Sequence, residues 1–158
     1  MKFHQFNVSD IDAQKRLLLI ALWTPEDEPD NSPEVLELPH IKEYFENWGQ
    51  EGDMGLFAVG ANGEAIGIVQ LRYKSCLTES YSEYPELAIA VAPAYHGQGI
   101  ASALMRELLE RIDVTVKGIR LGVHPKNTVA MALYKKFGFK VYDTGKNGFP
   151  QLVMKVNT

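Results

Sequence analysis

The sequence predicts an α/β (α+β) fold, with a mixed, mostly antiparallel central sheet and helices on both faces. Short stretches of alternating apolar residues, typical of strands, are interspersed with stretches in which apolar residues recur every three or four positions, typical of amphipathic helices. Some successive strands are joined by tight turns and others by helices, so hairpins and helical crossovers share one sheet. The predicted order is β-α-α-β-β-β-α-β-α-β-β.

Composition sets limits on the class of protein. The 158 residues, 46% of them hydrophobic and 23% charged, favour one globular domain over residues 1–158. The formal charge of −4 requires no basic face, so we expect no nucleic-acid partner. No stretch approaches the ~20 apolar residues of a membrane helix, and the N-terminus lacks the apolar run of a signal peptide. The single cysteine, Cys76, excludes an intramolecular disulfide and suits a cytoplasmic location.

The first third of the chain predicts one strand and two helices. An edge strand is expected over residues 2–7 and a helix over 10–22, with Ser9 as its N-cap. The segment 23–39 is rich in proline and acidic residues, which is typical of a solvated loop. A second helix is expected over residues 39–48, where four large side chains recur at helical spacing and are interpreted as core: Ile41, Tyr44, Phe45 and Trp48.

The middle of the chain predicts a hairpin and then the central strand. Strands over residues 55–59 and 65–75 are joined by a turn that contains Asn62-Gly63. Residues 78–84 are polar and predict a loop. The central strand follows at residues 86–91, whose sequence ELAIAV alternates.

The last third predicts two helical crossovers and a closing hairpin. A glycine-containing loop precedes a helix over residues 99–112, and a strand follows at 118–123. Asn127 is expected to cap a helix over residues 128–136, which Gly138 ends. The last two strands are expected at residues 140–144 and 151–156, with a turn between them at residues 145–148.

The glycine loop between the central strand and its helix predicts a phosphate site. Free N–H groups at a helix N-terminus attract anions, and a side chain at Gly97 or Gly99 would crowd a bound diphosphate. A P-loop requires Gly-Lys-Ser/Thr, and the chain has Gly99-Ile100-Ala101 instead. A dinucleotide fingerprint requires a third glycine where Ser102 stands, so this alternative is weak.

Two blocks of sequence resemble the GNAT superfamily of acyl-CoA-dependent N-acyltransferases. Residues 95–101, Tyr-His-Gly-Gln-Gly-Ile-Ala, are similar to its pyrophosphate loop, although His96 stands where Arg or Gln is usual. Residues 127–139 resemble its pattern Asn-x-x-Ala-x-x-Leu-Tyr-x-x-x-Gly-Phe. The two blocks occur in the family's order with a strand between them.

The resemblance implies an N-acetyltransferase that uses acetyl-CoA and no metal. It implies that the backbone at Ile89, Ala90 and Val91 holds the acyl carbonyl, and that Asn127 lies near the cofactor. It assigns Tyr134 as the general acid, because a phenol can protonate the leaving thiolate. The residues expected at the CoA diphosphate are His96, Gly97, Gln98, Gly99, Ile100, Ala101 and Ser102.

The base and the reaction route are less fixed by the sequence. Glu86 begins the central strand and matches a position where some family members have a catalytic glutamate. A salt-bridging role for Glu86 is a comparable alternative. The other candidates for the general base are Glu83, Tyr81 and His124. We expect direct attack by the amine, with an acyl-enzyme on Cys76 as the minor alternative.

The acceptor is a primary amine of unspecified identity. Acidic residues flank the presumed amine side and would favour a cationic amine over an acidic substrate: Glu26, Asp27, Glu28, Asp30, Glu79 and Glu83. Two other functions stay open, a non-catalytic acyl-CoA sensor and an enzyme for protein N-termini or lysines. The resemblance also allows a homodimer.

Overall fold

The computed structural model describes residues 1–158 and contains seven strands and four helices. The strands are β1 (Lys2–Gln5), β2 (Met54–Val59), β3 (Ala65–Arg72), β4 (Glu86–Val91), β5 (Gly118–Gly122), β6 (Lys140–Thr144) and β7 (Pro150–Lys155). The helices are α1 (Ile11–Ala21), α2 (Pro39–Lys42), α3 (Ile100–Arg111) and α4 (Thr128–Phe137). The predicted order of helices and strands is confirmed.

All seven strands form one sheet, in the order β1-β2-β3-β4-β5-β7-β6. Every neighbouring pair is antiparallel except β4 and β5, which are parallel. The crossover between those two strands is α3, as expected for a parallel connection. The prediction of a mixed, mostly antiparallel sheet is therefore confirmed.

Strand β4 shows why the two faces of the sheet carry different layers. Leu87 and Val91 belong to the core that includes α3 and α4, whereas Ala88 and Ala90 belong to the core under α1 and α2. Alternate side chains of a strand point to opposite faces. The larger side chains thus face α3, and the two alanines let α1 pack closely against β4.

The start of α1 differs from the prediction in its cap. A single 3-10 turn, Val8–Asp10, precedes the helix. The Asn7 side chain accepts hydrogen bonds from Ser9, and the Asp10 carboxylate accepts one from the Asn7 N–H. Ser9 was therefore the wrong choice of cap, because the helical conformation begins one turn earlier than the apolar pattern indicates.

The second helix is much shorter than the predicted 39–48. It ends at Lys42, and single turns continue to Asn47, which has a left-handed φ of 56°. The buried Arg72 guanidinium donates to the carbonyl groups of Glu43 and Glu46, at 3.2 and 2.5 Å. Arg72 thereby binds carbonyl oxygens that a continuous helix would use internally. The interpretation of Ile41, Phe45 and Trp48 as core is correct, since all three are buried.

Other boundaries differ by a few residues. Strand β3 ends at Arg72, where its register partner Glu86 begins β4, and β1 ends at Gln5. Gly99 has a φ of 76° and serves as the N-cap of α3, so the helix proper begins at Ile100. No helix is both long and apolar enough to cross a membrane.

Candidate active site

The two parallel strands at the centre of the sheet separate after one residue pair. Glu86 and Arg120 are the register partners between β4 and β5, and the strands diverge beyond them. A pocket occupies this gap, and nine of its eleven lining residues are hydrophobic. The lining consists of Leu18, Ala21, Leu22, Ile41, Tyr44, Glu86, Leu87, Ala88, Ile89, Gly122 and Tyr134. Because α1 and α2 lie on one face and Tyr134 on the other, the pocket connects the two sides of the sheet.

The glycine loop lies where β4 leads into α3. Gly97 and Gly99 have φ of 77° and 76°, a left-handed conformation that favours glycine. A Cβ at either glycine would meet no atom within 4 Å, so the space above the loop is open. The backbone N–H groups of residues 97–102 donate to no acceptor within the protein. This loop therefore presents unpaired donors to open space, which suits a diphosphate.

Two side-chain hydrogen bonds fix the loop. His96 Nε2 lies 2.7 Å from the carbonyl oxygen of Val91, so the imidazole ties the loop to the end of β4. Lys136 of α4 donates to Ser102 Oγ at 3.1 Å, which places a positive charge beside the first turn of α3. The imidazole of His96 thus contacts the protein's own backbone. Lys136 adds a cation that no sequence motif indicates.

Tyr134 lines the pocket from the α4 side. It is buried at 7% exposure, its ring packs edge-on against Phe139, and its hydroxyl has no hydrogen-bond partner in the protein. Burial raises the pKa of Tyr134 well above its ordinary value. The phenol is therefore protonated at neutral pH, and its hydroxyl is available to a bound molecule.

Glu86 lies on the opposite side of the pocket and is held by three donors. Arg120 Nη1 and Lys74 Nζ lie 3.0 and 3.4 Å from Glu86 Oε1, and the Tyr44 hydroxyl donates to Oε2. The side chains of Glu86 and Arg120 are only 11% and 3% exposed. The salt-bridging alternative for Glu86 is thus present in the structure, and Oε2 has a single donor.

Tyr44, which the helical spacing predicts as a core residue, lines the pocket. Its backbone carbonyl accepts from Gln70 at 2.8 Å, and Lys74 lies 4.5 Å from the centre of its ring. Desolvation, and then the Glu86 carboxylate, raise the pKa of Tyr44 well above its ordinary value. A usable signal was the spacing of Gln70 and Arg72 in β3 and of Lys74 just after it, because three polar side chains at alternate positions of an apolar stretch require polar partners in a neighbouring segment.

The other cofactor candidates lie around the gap. Ile89 lines the pocket, and Ala90 and Val91 continue along the edge of β4 that has no partner in β5. Asn127 Oδ1 accepts from the N–H of Ala130 at 3.2 Å, as the expected cap of α4. Its capping role leaves the amide NH₂ of the side chain uncommitted.

The substitute bases and the cysteine lie outside the pocket lining. Tyr81, which has a left-handed φ of 63°, packs against Tyr84 and Tyr142. The His124 ring packs against Trp23 and Phe149, at centroid distances of 5.1 and 4.9 Å. The remaining candidates are Glu83, which is exposed, and Cys76, which lies 3.5 Å from Thr78 Oγ1 and 3.9 Å from the carbonyl oxygen of Ser80.

The chain is similar to named acetyltransferases. It is 28% identical over 123 residues to an L-amino acid N-acetyltransferase of Escherichia coli (strain K12), a match covering 75% of each chain. It is 26% identical over 142 residues to an N-alpha-acetyltransferase of Sulfurisphaera tokodaii, a match covering 84% of this chain and 76% of that protein.

Solved structures show the same fold. A ribosomal-protein-alanine N-acetyltransferase from Brucella melitensis superposes with a TM-score of 0.70 at 20% identity, covering 99% of both chains. A GNAT superfamily phosphinothricin acetyltransferase from Sinorhizobium meliloti, in complex with AcCoA, superposes with a TM-score of 0.67 at 18% identity, covering 99% of this chain and 89% of that one. The family profile described as Acetyltransferase (GNAT) family matches residues 18–139. With this match, the mixed sheet and the glycine loop before α3, the chain belongs to the GNAT family of acetyltransferases.

Proposed function

We propose that the protein transfers an acetyl group from acetyl-CoA to a primary amine by direct attack, within a single domain over residues 1–158. The observation that carries this proposal is the pocket through the sheet between β4 and β5. It places a protonated phenol, Tyr134, on one side and a carboxylate, Glu86, on the other. An acyl transfer to an amine requires both a proton donor and a proton acceptor.

The loop over residues 97–102 would hold the CoA diphosphate. Its unpaired N–H groups, its two left-handed glycines and the N-terminal end of the α3 dipole all favour an anion. His96 would act by fixing the loop on Val91, and Ser102 by its backbone N–H. The other contacts assigned to the cofactor are the N–H groups of Gln98, Ile100 and Ala101, the side chain of Asn127, and the backbone of β4 at Ile89, Ala90 and Val91 for the acyl carbonyl.

Tyr134 is the proposed general acid. As the amine nitrogen bonds to the acetyl carbon, the carbon–sulfur bond breaks and the sulfur leaves with the electron pair. Tyr134 would give its hydroxyl proton to that sulfur, which yields a neutral thiol. The phenol is protonated at neutral pH, so Tyr134 has a proton to donate.

Glu86 is the proposed proton acceptor. It is the one carboxylate in the lining of the pocket, and Oε2 accepts only the Tyr44 hydroxyl. Oε2 therefore has a lone pair left for the proton that the amine loses, directly or through a water molecule. Arg120 and Lys74 would position the carboxylate through Oε1.

Direct attack is favoured over an acyl-enzyme because of where Cys76 lies. It lies beside Thr78, Ser80 and Tyr142, and it does not line the pocket. A nucleophilic thiol requires an adjacent base or cation that lowers its pKa, and the contacts of Cys76 include neither. The single cysteine remains the basis for predicting a cytoplasmic location.

The relatives are named for acetylation of L-amino acids and of α-amines, so the panel of candidate acceptors should contain both kinds of amine. Exposed carboxylates on the segment after α1, at residues 26–30, would attract a cationic amine. The other two acidic candidates, Glu79 and Glu83, lie on the separate segment before β4. They would attract the amine only at longer range.

The test is release of free thiol from acetyl-CoA in the presence of a panel of primary amines, with product masses measured. An acetylated amine formed in equal amount to the thiol is expected. Thiol release without an acetylated amine, or binding of acetyl-CoA without release, would contradict the proposal. The second of these results would instead favour a non-catalytic acyl-CoA sensor.

A further inference from the structure

The α1 and α2 side of the pocket is an aliphatic wall. Leu18, Leu22 and Ile41 line it, with Ala21 beside them. On this side the only polar groups in the lining are the Tyr44 hydroxyl and the Glu86 carboxylate, which are bonded to each other. An acceptor whose amine approaches Glu86 would therefore place its neighbouring carbon substituent against aliphatic side chains.

No cation lines the pocket, and the two cations that contact its carboxylate already have partners. Lys74 pairs with Glu86 at 3.4 Å and with Glu43 at 3.8 Å. Arg120 donates to Glu86 and to the carbonyl oxygens of Tyr84 and Lys74, at 3.0, 2.9 and 2.6 Å. A carboxylate next to the acceptor amine would lose its hydration and find no positive partner, which is unfavourable.

The segment that follows the wall adds charge of the same sign as a carboxylate. Four acidic residues follow Leu22 at the end of α1, and all four are exposed: Glu26, Asp27, Glu28 and Asp30. Their field repels an acidic acceptor and attracts an ammonium. The aliphatic wall, the paired cations and the acidic segment therefore all favour an aliphatic amine over an acceptor that has a carboxylate.

We propose that the acceptor is an amine with an adjacent aliphatic group and no adjacent free carboxylate. This chemistry occurs at the N-terminus of a peptide that begins with an aliphatic residue, and in small aliphatic amines. Free amino acids are excluded by the carboxylate. The inference rests on the proposed function and specifies the substrate class of that same pocket.

The test compares acceptors that differ in one feature. L-leucine and L-leucinol have amines of similar basicity and the same side chain, and only leucine has the carboxylate. We expect kcat/KM for L-leucinol to exceed that for L-leucine at least tenfold. A C-terminally amidated Leu-Gly-Gly peptide distinguishes a peptide N-terminus from a small aliphatic amine as the acceptor. An enzyme for peptides will prefer this peptide to L-leucinol, and an enzyme for small amines will not.

The wall is tested with Leu22→Ala and with Leu38→Ala as its control, since Leu38 is 42% exposed and outside the lining. Leu22→Ala should lower the preference for L-leucinol over ethanolamine several-fold, and Leu38→Ala should preserve it. Equal use of L-leucine and L-leucinol, or an unchanged preference in Leu22→Ala, would overturn the substrate class while acetyl transfer itself stands. Failure of every amine to release thiol would overturn the proposed function instead.

Discussion

Glu86 and Arg120 are paired twice. They are the register partners that join β4 to β5, and their side chains form an ion pair with Nη1 3.0 Å from Oε1. Both side chains are largely buried, and Arg120 also donates to the carbonyl groups of Tyr84 and Lys74. One residue pair therefore closes the gap at one end and places a carboxylate in the pocket.

Replacing Glu86 with alanine should destabilise the fold, because Arg120 would be left as a buried, uncompensated charge. Breaking a buried pair in this way costs about 3–5 kcal/mol, and urea denaturation measures the loss. The control is Glu83→Ala, an exposed site outside the pocket, expected within about 0.5 kcal/mol of the wild type. Equal stability of the two variants would show that the ion pair has no structural role.

Tyr134→Phe should lower kcat about 100-fold or more, in the range of general acid catalysis, and leave the Kd for CoA nearly unchanged. The hydroxyl has no partner in the protein, so its loss removes a proton donor without breaking a contact. Steady-state kinetics and calorimetry separate the two quantities. Tyr142→Phe, at a residue whose hydroxyl bonds to Thr78 outside the pocket, should retain kcat. A Tyr134→Phe enzyme with normal kcat would remove Tyr134 from the mechanism.

Stability should fall as the pH rises above about 10, the ordinary pKa of tyrosine in an unfolded chain. The folded-state pKa values of Tyr44 and Tyr134 are both raised, so the unfolded chain loses these protons first. The stabilisation is complete below pH 10 and declines above it, by up to about 1.4 kcal/mol per pH unit for each tyrosine. Tyr44→Phe should reduce that slope in urea denaturation between pH 9 and 11. An unchanged slope would show that Tyr44 titrates normally.

Gly99→Val should abolish binding of CoA, because the new side chain would occupy the open space above the loop and close the approach to its N–H groups. The substitution also strains a left-handed backbone, so Gly148→Val is the matched control. Gly148 has a φ of 83° and equally open surroundings, in the turn between β6 and β7. Similar loss of stability in both variants, with loss of binding only in Gly99→Val, is expected. Near-normal affinity in Gly99→Val would contradict the assignment of the loop.

Features set by neighbouring residues were predicted well from the sequence. The order of helices and strands follows from apolar periodicity, and the glycine loop follows from residues that are adjacent in the chain. The length of α2 was wrong because the aromatic spacing continues to Trp48, whereas Arg72, from a distant strand, binds the carbonyl groups of the last turns.

The partners of Glu86 depend on long-range contacts that no local pattern contains. Lys74 and Arg120 lie 12 and 34 residues away along the chain. The arginine within the apolar sequence GIRLGV is a signal, unused above, that a buried acceptor must exist. The pattern does not say which carboxylate supplies it. Tyr44 reaches Glu86 from the turns after α2, where its backbone carbonyl accepts a hydrogen bond from Gln70 of β3.

The single pairing between β4 and β5 divides the sheet into two panels. Strands β1–β4 form one panel, against which α3 also packs, and β5, β7 and β6 form the other. The other five strand pairs in the sheet each have four to six pairs of register partners. The boundary between the two panels is therefore a suitable place to divide the chain into two fragments, residues 1–112 and 113–158, that are produced separately. A ligand bound in the gap would contact both fragments and promote their association. The extent of reassembly would then report the concentration of the ligand.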